Sequence, residues 1–241
     1  MRNSFIILIR QIAAGLLLVI PMLACANDDP FESINREILE FNDSADMDIL
    51  RPIAVAYEET VPIPARRALV NAYDNLTDIN AAINAVFQGR PGKAVKSTGR
   101  VLINTTLGLL GTIDVASDMG IARYETDFGH TLARWGVPEG PYIVVPFLGP
   151  YTIRSGVGDI TDSFMSANDY LVDDDVITWG SRGWRALETR ANLLDAEDLI
   201  SGDRYVFIRD AYLQSREALV NDGVVVDTFS DFEDEEWDED F

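Results

Sequence analysis

Thirteen consecutive residues from Val101 to Ile113 carry no charge, and the fourteen from Gly140 to Ile153 carry none either. A bilayer-spanning helix needs about 20 apolar residues, so neither run can cross a membrane. Both are still too apolar for the face of an ordinary soluble helix. Two arrangements satisfy them: a buried core helix followed by a buried loop, or surface set at lipid depth. In the second, Gly108 and Gly111 allow close packing, and Pro141, Pro146 and Pro150 impose a non-helical path. Irregular backbone survives at membrane depth only where protein or a water-filled cavity covers it. A lipid-level 140–153 therefore has to line a cavity.

The N-terminus predicts export. Residues 1–26 read as a signal peptide, with Arg2 and Arg10 ahead of and flanking an uncharged stretch from Ile12 to Leu23. Two cleavage readings stand at Met22-Leu23-Ala24-Cys25-Ala26. Small Ala24 before Cys25 suits a lipoprotein whose Cys25 thiol is diacylated, and two acyl chains suffice for stable anchoring. Ala24-Cys25-Ala26 is equally an A-x-A site cut after Ala26, which removes Cys25. The domain that follows spans 27–224, and 225–241 is read as an acidic, disordered tail. That tail holds nine acids between Asp227 and Asp240 and no base, so it repels itself. Its Phe229, Phe232 and Trp237 could dock on a partner, though a solvated tail is the commoner outcome.

The chain has 241 residues, 47% hydrophobic, with a net charge of −21. It can bury a core, but it repels phosphate backbones, which excludes nucleic acid as a partner. One Cys and one His cannot build a structural zinc site or a Cys–His catalytic pair, and no cofactor or metal is expected.

Periodicity makes the body helical. Asp29 is a candidate N-cap with Pro30 at the first helical position. Ile34, Ile38, Phe41, Ala45 and Ile49 then share one face, and Arg51-Pro52 is expected to end that helix. After Val61-Pro-Ile-Pro64, a second stripe runs Leu69, Tyr73, Leu76, Ile83, Phe87 and stops at Gly89-Arg-Pro-Gly92. A third helix is expected from Lys93 to about Leu107. Later stripes hold Trp184, Leu187, Ala191 and Leu194, then Tyr205, Ile208, Tyr212 and Leu219. The only strand candidate is Tyr142–Val145.

Catalytic patterns are thin. His130, expected in a short helix from Asp127 to Trp135, is the only imidazole, so an esterase triad would pair it with Ser155 or Ser163. No G-x-S-x-G surrounds either serine. Acid pairs such as Asp159 with Asp162, Asp173-Asp174-Asp175, and Asp195 with Glu197 and Asp198 are what an acidic chain produces by chance.

Ordered blocks carry a resemblance. Asn35-Arg-Glu-Ile-Leu-Glu-Phe41-Asn42, Val61-Pro-Ile-Pro-Ala-Arg66, Leu102-Ile-Asn-Thr-Thr-Leu-Gly108, Phe128-Gly-His-Thr-Leu-Ala-Arg-Trp-Gly136-Val-Pro-Glu-Gly140-Pro-Tyr142, Pro146-Phe-Leu-Gly149 and Arg209-Asp-Ala-Tyr212 resemble, in this order over 28–223, the MlaA/VacJ lipoproteins of Gram-negative outer membranes. The resemblance implies a mainly α, ring-shaped helical protein embedded in the inner, periplasmic leaflet of the outer membrane, with a central amphipathic channel and little or no strand. It implies transport of phospholipids misplaced in the outer leaflet to the periplasmic shuttle protein MlaC, with a trimeric porin holding the protein in place. It implies no enzyme activity. The alternatives from the residues alone are a soluble periplasmic scaffold or lipid-binding protein, and a lipid esterase. Cys25 is the implied lipid anchor. Ile38, Phe41 and Asn42 on the first helix, with Phe128, Gly136, Val137, Pro138, Gly140, Pro141 and Tyr142, are the implied channel or gate residues. Glycines 136 and 140 would supply freedom and prolines 138 and 141 stiffness, and packing alone is the competing explanation.

Overall fold

The structure, a computed structural model, describes residues 29–166, 175–194 and 202–222, the first turn of the helix beginning at Asp175 as backbone only. The signal segment with Cys25, the acidic tail, Asp173 and Asp174, and the cluster at Asp195, Glu197 and Asp198 lie outside the described residues. Helix α1 is Glu32–Ala45, α2 Arg51–Thr60, α3 Ile63–Phe87, α4 Pro91–Thr106, α5 Val115–Asp118 and α6 Phe128–Arg134. Strands β1 Tyr142–Val145 and β2 Gly149–Thr152 form an antiparallel hairpin, with Tyr142 opposite Thr152 and Val145 opposite Gly149. Helices α7 Ile153–Met165, α8 Asp175–Asn192 and α9 Arg204–Val220 complete the order. The fold is mainly helical with a single two-stranded sheet among the described residues, as the resemblance implied. Among the described residues, no helix is long and apolar enough to cross a membrane.

Three boundaries differ from expectation. Helix α1 starts at Glu32 with Phe31 at its cap, because the Asp29 carboxylate accepts from Phe31 N (3.3 Å) and closes the preceding turn instead. Arg51-Pro52 does not end the helix. A π-helical turn, Asp46–Leu50, widens the backbone there, and Arg51 N bonds five residues back to Asp46 O. The wider turn moves the carbonyl that a proline ring would strike, so helical backbone continues into α2 with Pro52 in its first turn. The third helix begins two residues early, at Pro91, where a missing N–H costs nothing.

The distribution of side chains is reversed from that of a soluble bundle. On α3 the buried face is Arg66, Asn75, Asp78, Ala81, Asn84 and Ala85, while Leu69 and Phe87 of the apolar stripe are exposed. On α1 the buried residue is Asn35, and Ile34 and Phe41 point outward, as does Ile49 in the π-helical turn that follows. The uncharged run at 101–113 is no core helix: Leu107, Leu109 and Leu110 are 65%, 69% and 77% exposed. Gly108 is needed there because a Cβ would sit 2.1 Å from Ile113 O. The described core is small, chiefly Ala85, Ala94 and Tyr124 in one cluster and Tyr142, Val144 and Tyr205 in another.

Candidate functional site

The hairpin is braced by amides on α1. Asn35 Nδ2 donates to Tyr142 O (3.1 Å) and its Oδ1 accepts from Val144 N (2.8 Å). Asn42 repeats the pattern farther along, Nδ2 donating to Val145 O (3.1 Å) and Oδ1 accepting from Phe147 N (2.8 Å). Seven helical residues rise about 10.5 Å, and three strand residues advance about 10 Å. The two amides therefore reach successive backbone groups, Asn35 along β1 and Asn42 where the strand passes into its turn. Ile38, between them, packs on the Tyr142, Val144 and Tyr205 cluster. Phe41 meets Phe147 edge-on at 5.1 Å. Phe147 and Leu148 at the hairpin tip are 75% and 68% exposed. Thus Ile38, Phe41, Asn42 and Tyr142 belong to one assembly.

Phe128, Gly136 and Val137 belong to another. Helix α6 is started by two carboxylates: Asp127 Oδ1 accepts from His130 N (2.7 Å), and Asp162 Oδ2 accepts from Phe128 N (2.6 Å). Arg216 pairs with Asp127 (3.0 Å). The helix ends where Gly136, at φ +85°, sends its N–H to Ala133 O (2.9 Å) while Val137 N bonds Leu132 O (3.0 Å), the glycine-terminated helix stop. Phe128 stacks edge-on with Phe87 and Trp135, and Trp135 Nε1 donates to Phe87 O (3.1 Å).

The connection between these assemblies, including exposed Pro138, is strapped to α7. Arg154 donates to Val137 O (3.2 Å) and pairs with Glu139 (3.4 Å), its backbone N–H meets Glu139 O (3.0 Å), and Ile153 N meets Pro141 O (3.3 Å). Gly140 adopts φ +75° within this strap.

The esterase arrangement is not formed. His130 Nδ1 bonds Thr126 Oγ1 (3.0 Å), and its Nε2 is buried with no partner. Burial holds the ring's pKa down at about 4, with the Arg90 and Arg134 charges adding to the depression and Asp127 opposing it. Ser155 instead caps α7 through Thr152 and meets Tyr212 Oη (2.7 Å).

Behind the exposed leucines lies a charged interior. Arg100 reaches Asp78 (2.9 Å), both oxygens of Asp114 (3.1 Å), Ser117 Oγ (3.0 Å) and Ile121 O (2.6 Å). Burial pushes the Asp114 carboxyl up, but hydrogen bonds from Ser117, Asn104 and Arg100 outweigh it and hold it at about 2. Asn104 accepts from Ala116 N (2.9 Å) and donates to Asp114 (2.9 Å). These bonds fix the 107–121 segment from within while its leucines face out.

Beside this interior is a cavity of about 310 Å³ lined by α3, the 123–127 segment, Arg185 of α8 and Leu219 of α9. Arg123 spans its wall, paired with Asp74 (2.6 Å) and Asp78 (3.1 Å) and bonded to Thr77 (2.6 Å). None of the ten residues expected at a channel or gate lines this cavity. Asp74, Arg123 and Arg185 escaped the sequence reading. Its available signal was the i, i+4 pair Asp74 and Asp78, which places two carboxylates on one helix face.

Relatives agree with this architecture. The sequence profile described as MlaA lipoprotein matches residues 27–219. The chain is 38% identical over 205 residues to the intermembrane phospholipid transport system lipoprotein MlaA of Escherichia coli (strain K12), covering 81% of this chain and 79% of that one. It is 31% identical to the protein of the same name from Haemophilus influenzae, over 91% and 94% of the two chains. A solved structure from work on the structural basis for maintenance of bacterial outer membrane lipid asymmetry superposes with a TM-score of 0.74 at 37% identity, covering 81% of this chain and all of its own. With nearly the whole described body matched in sequence and in fold, the chain belongs to the MlaA lipoprotein family.

Proposed function

We propose that this protein carries phospholipids misplaced in the outer leaflet of the outer membrane to a periplasmic carrier, and so maintains lipid asymmetry. The observation that carries this reading is the reversed side-chain distribution. Leu107, Leu109, Leu110, Phe147 and Phe164 lie outside, while Arg100, Asp78, Asn84 and Glu188 lie inside. Water would penalise that exterior, whereas a leaflet of acyl chains accepts it, so a polar route can run only through the interior, whose buried pairs frame it. A phospholipid crossing a leaflet needs such a route, because an unpaired polar head stripped of water costs several kcal/mol. In this reading the helices ring the path, the hairpin and the strapped 136–141 connection form its rim and gate, and no bond is broken. Diacylated Cys25, a trimeric porin and a periplasmic shuttle of the MlaC kind complete the proposed assembly in the outer membrane of a Gram-negative envelope.

The test is detergent extraction of the mature protein from membranes, followed by lipid analysis. Membrane partitioning with bound phospholipid supports the proposal. Recovery in the aqueous phase after osmotic shock, free of lipid, identifies a soluble scaffold and overturns it. Mass spectrometry of the mature N-terminus decides between a diacylglyceryl Cys25 and cleavage after Ala26.

A further inference from the structure

The cavity between α3 and α8 presents charges of alternating sign. Arg185 Nη2 stands 3.5 Å from Asp74 Oδ1, Arg123 Nη1 is 2.6 Å from Asp74 Oδ2, and the same Arg123 nitrogen is 4.0 Å from Glu125. Arg123 is fully engaged by Asp74, Asp78 and Thr77 and serves the frame. Arg185 is held more loosely, by the long contact to Asp74 and by the face of Tyr73 at 5.8 Å. A guanidinium carries five N–H donors, so Arg185 keeps donors for an incoming anion. Glu125 is 70% exposed at its side chain and lines the same cavity. Ala81, Leu219 and the rings of Tyr73 and Tyr124 supply the apolar remainder of the wall. A volume of about 310 Å³ is at the low end for small-molecule sites, about 300–1,000 Å³. It suits a polar head and not two acyl chains.

We infer that this cavity is a head-group station selective for zwitterionic phospholipids of the phosphoethanolamine class, with Arg185 taking the phosphate and Asp74 and Glu125 taking the ammonium. An anionic glycerol head would bring its phosphate to the same arginine but add no positive charge beside Glu125, which is only 4.0 Å from Arg123, or Asp74, which Arg123 and Arg185 already pair, so discrimination rests on the ammonium contact that is missing. The inference rests on the phospholipid-transport reading and adds which head group the path prefers.

The experiment incubates the purified full-length protein with vesicles of equimolar phosphatidylethanolamine and phosphatidylglycerol, re-isolates it, and measures the bound lipids by mass spectrometry. Wild type should carry ethanolamine lipid in about fivefold excess, the scale of one partly exposed charge contact. Glu125→Gln and Asp74→Asn should each bring the ratio toward parity by lowering the bound ethanolamine lipid alone, whereas Arg185→Gln should lower both lipids. Bound lipid at parity in wild type, or a ratio unmoved by both carboxylate variants, overturns the head-group station and leaves transport standing. No bound phospholipid in wild type overturns the transport reading itself. Should Asp74→Asn fail to fold, the exposed Glu125 variant decides alone.

Discussion

Asn35 and Asn42, two helical turns apart on α1, each close a two-bond ring with the hairpin, at Tyr142 and Val144 of β1 for the first and at Val145 and Phe147, where the strand enters its turn, for the second. Asn42 thus supplies the hydrogen bonds from α1 to the hairpin tip, beside the ring contact of Phe41 with Phe147. Asn42→Asp keeps the acceptor for Phe147 N but turns a second oxygen toward Val145 O, at a cost of about 1–3 kcal/mol. Faster amide exchange at Phe147 and a leakier outer membrane are expected. Unchanged exchange would show that the tip is held elsewhere.

Gly136 separates backbone from side-chain effects. Its φ of +85° is hard for other residues, yet a Cβ there meets nothing within 4 Å. Gly136→Ala and Gly136→Leu should lower stability by similar amounts, about 1–2 kcal/mol, and Gly136→Asn by less. Equilibrium unfolding of the three variants checks this. A much greater loss for Leu than Ala would mean the site is crowded.

Helices α6 and α7 cross at contact distance between Gly129 and Gly158. A Cβ on Gly158 would stand 2.2 Å from Gly129 N and 2.5 Å from its Cα, and backbone cannot yield as a side chain can. Gly158→Ala should cost at least about 1–3 kcal/mol, the range for overpacking, and should disturb the α6 start that Asp162 caps. Wild-type stability in denaturant would contradict the crossing.

Removing Arg100 leaves Asp78, which is 1% exposed, with Arg123 on its other oxygen, and takes the arginine away from Asp114. Arg100→Ala should destabilise by about 2–3 kcal/mol, toward the upper range for lost hydrogen bonds to charged groups and below that of a buried pair left wholly without a partner. Arg100→Lys should rescue only part, since three ammonium protons cannot serve Asp78, both Asp114 oxygens, Ser117 and Ile121 O together. Denaturation midpoints of the two variants provide the comparison.

Acid should act through His130 and Asp162 in opposite directions. The imidazole, held near 4 by burial against about 6.5 unfolded, binds its proton first in the unfolded chain. Its contribution is whole above pH 6.5 and is lost as pH falls toward 4. Burial lifts the Asp162 carboxyl to about 6, despite bonds from Phe128 N and Asn84. Its contribution is complete below its unfolded value near 3.9 and is lost as pH rises through 6. Relative to wild type, His130→Gln should therefore gain stability between pH 7 and pH 5, as read from urea midpoints. Parallel pH profiles would remove His130 as the titrating group.

Much of the fold was legible because helical period and breakers are local. The 3.6-residue stripes located α1, α3, α8 and α9, and Tyr142–Val145 reads as a strand, its β2 partner hidden by the glycine and proline that open Gly149–Thr152. What local pattern cannot reveal is the medium outside. Leu69 and Phe87 share a stripe whether core or lipid covers it, and only tertiary structure shows that Asp78 and Asn84 take the inside. The site was legible in part for the same reason. Phe41 and Asn42 were named and do meet the hairpin that Tyr142 opens, but Phe128 and Gly136 form a separate assembly. The cavity joins Asp74 to Arg123 and Arg185 across long sequence separations that carry no periodic signal.

The buried Arg100, Asp78 and Asn104 have a thermal consequence. Heat-capacity gain on unfolding comes from apolar surface newly wetted, and polar surface subtracts from it. Here the large aliphatic side chains already face outward and melting would hydrate guanidinium, carboxylate and amide groups. The stability curve should be broad and shallow, with little tendency to unravel in the cold.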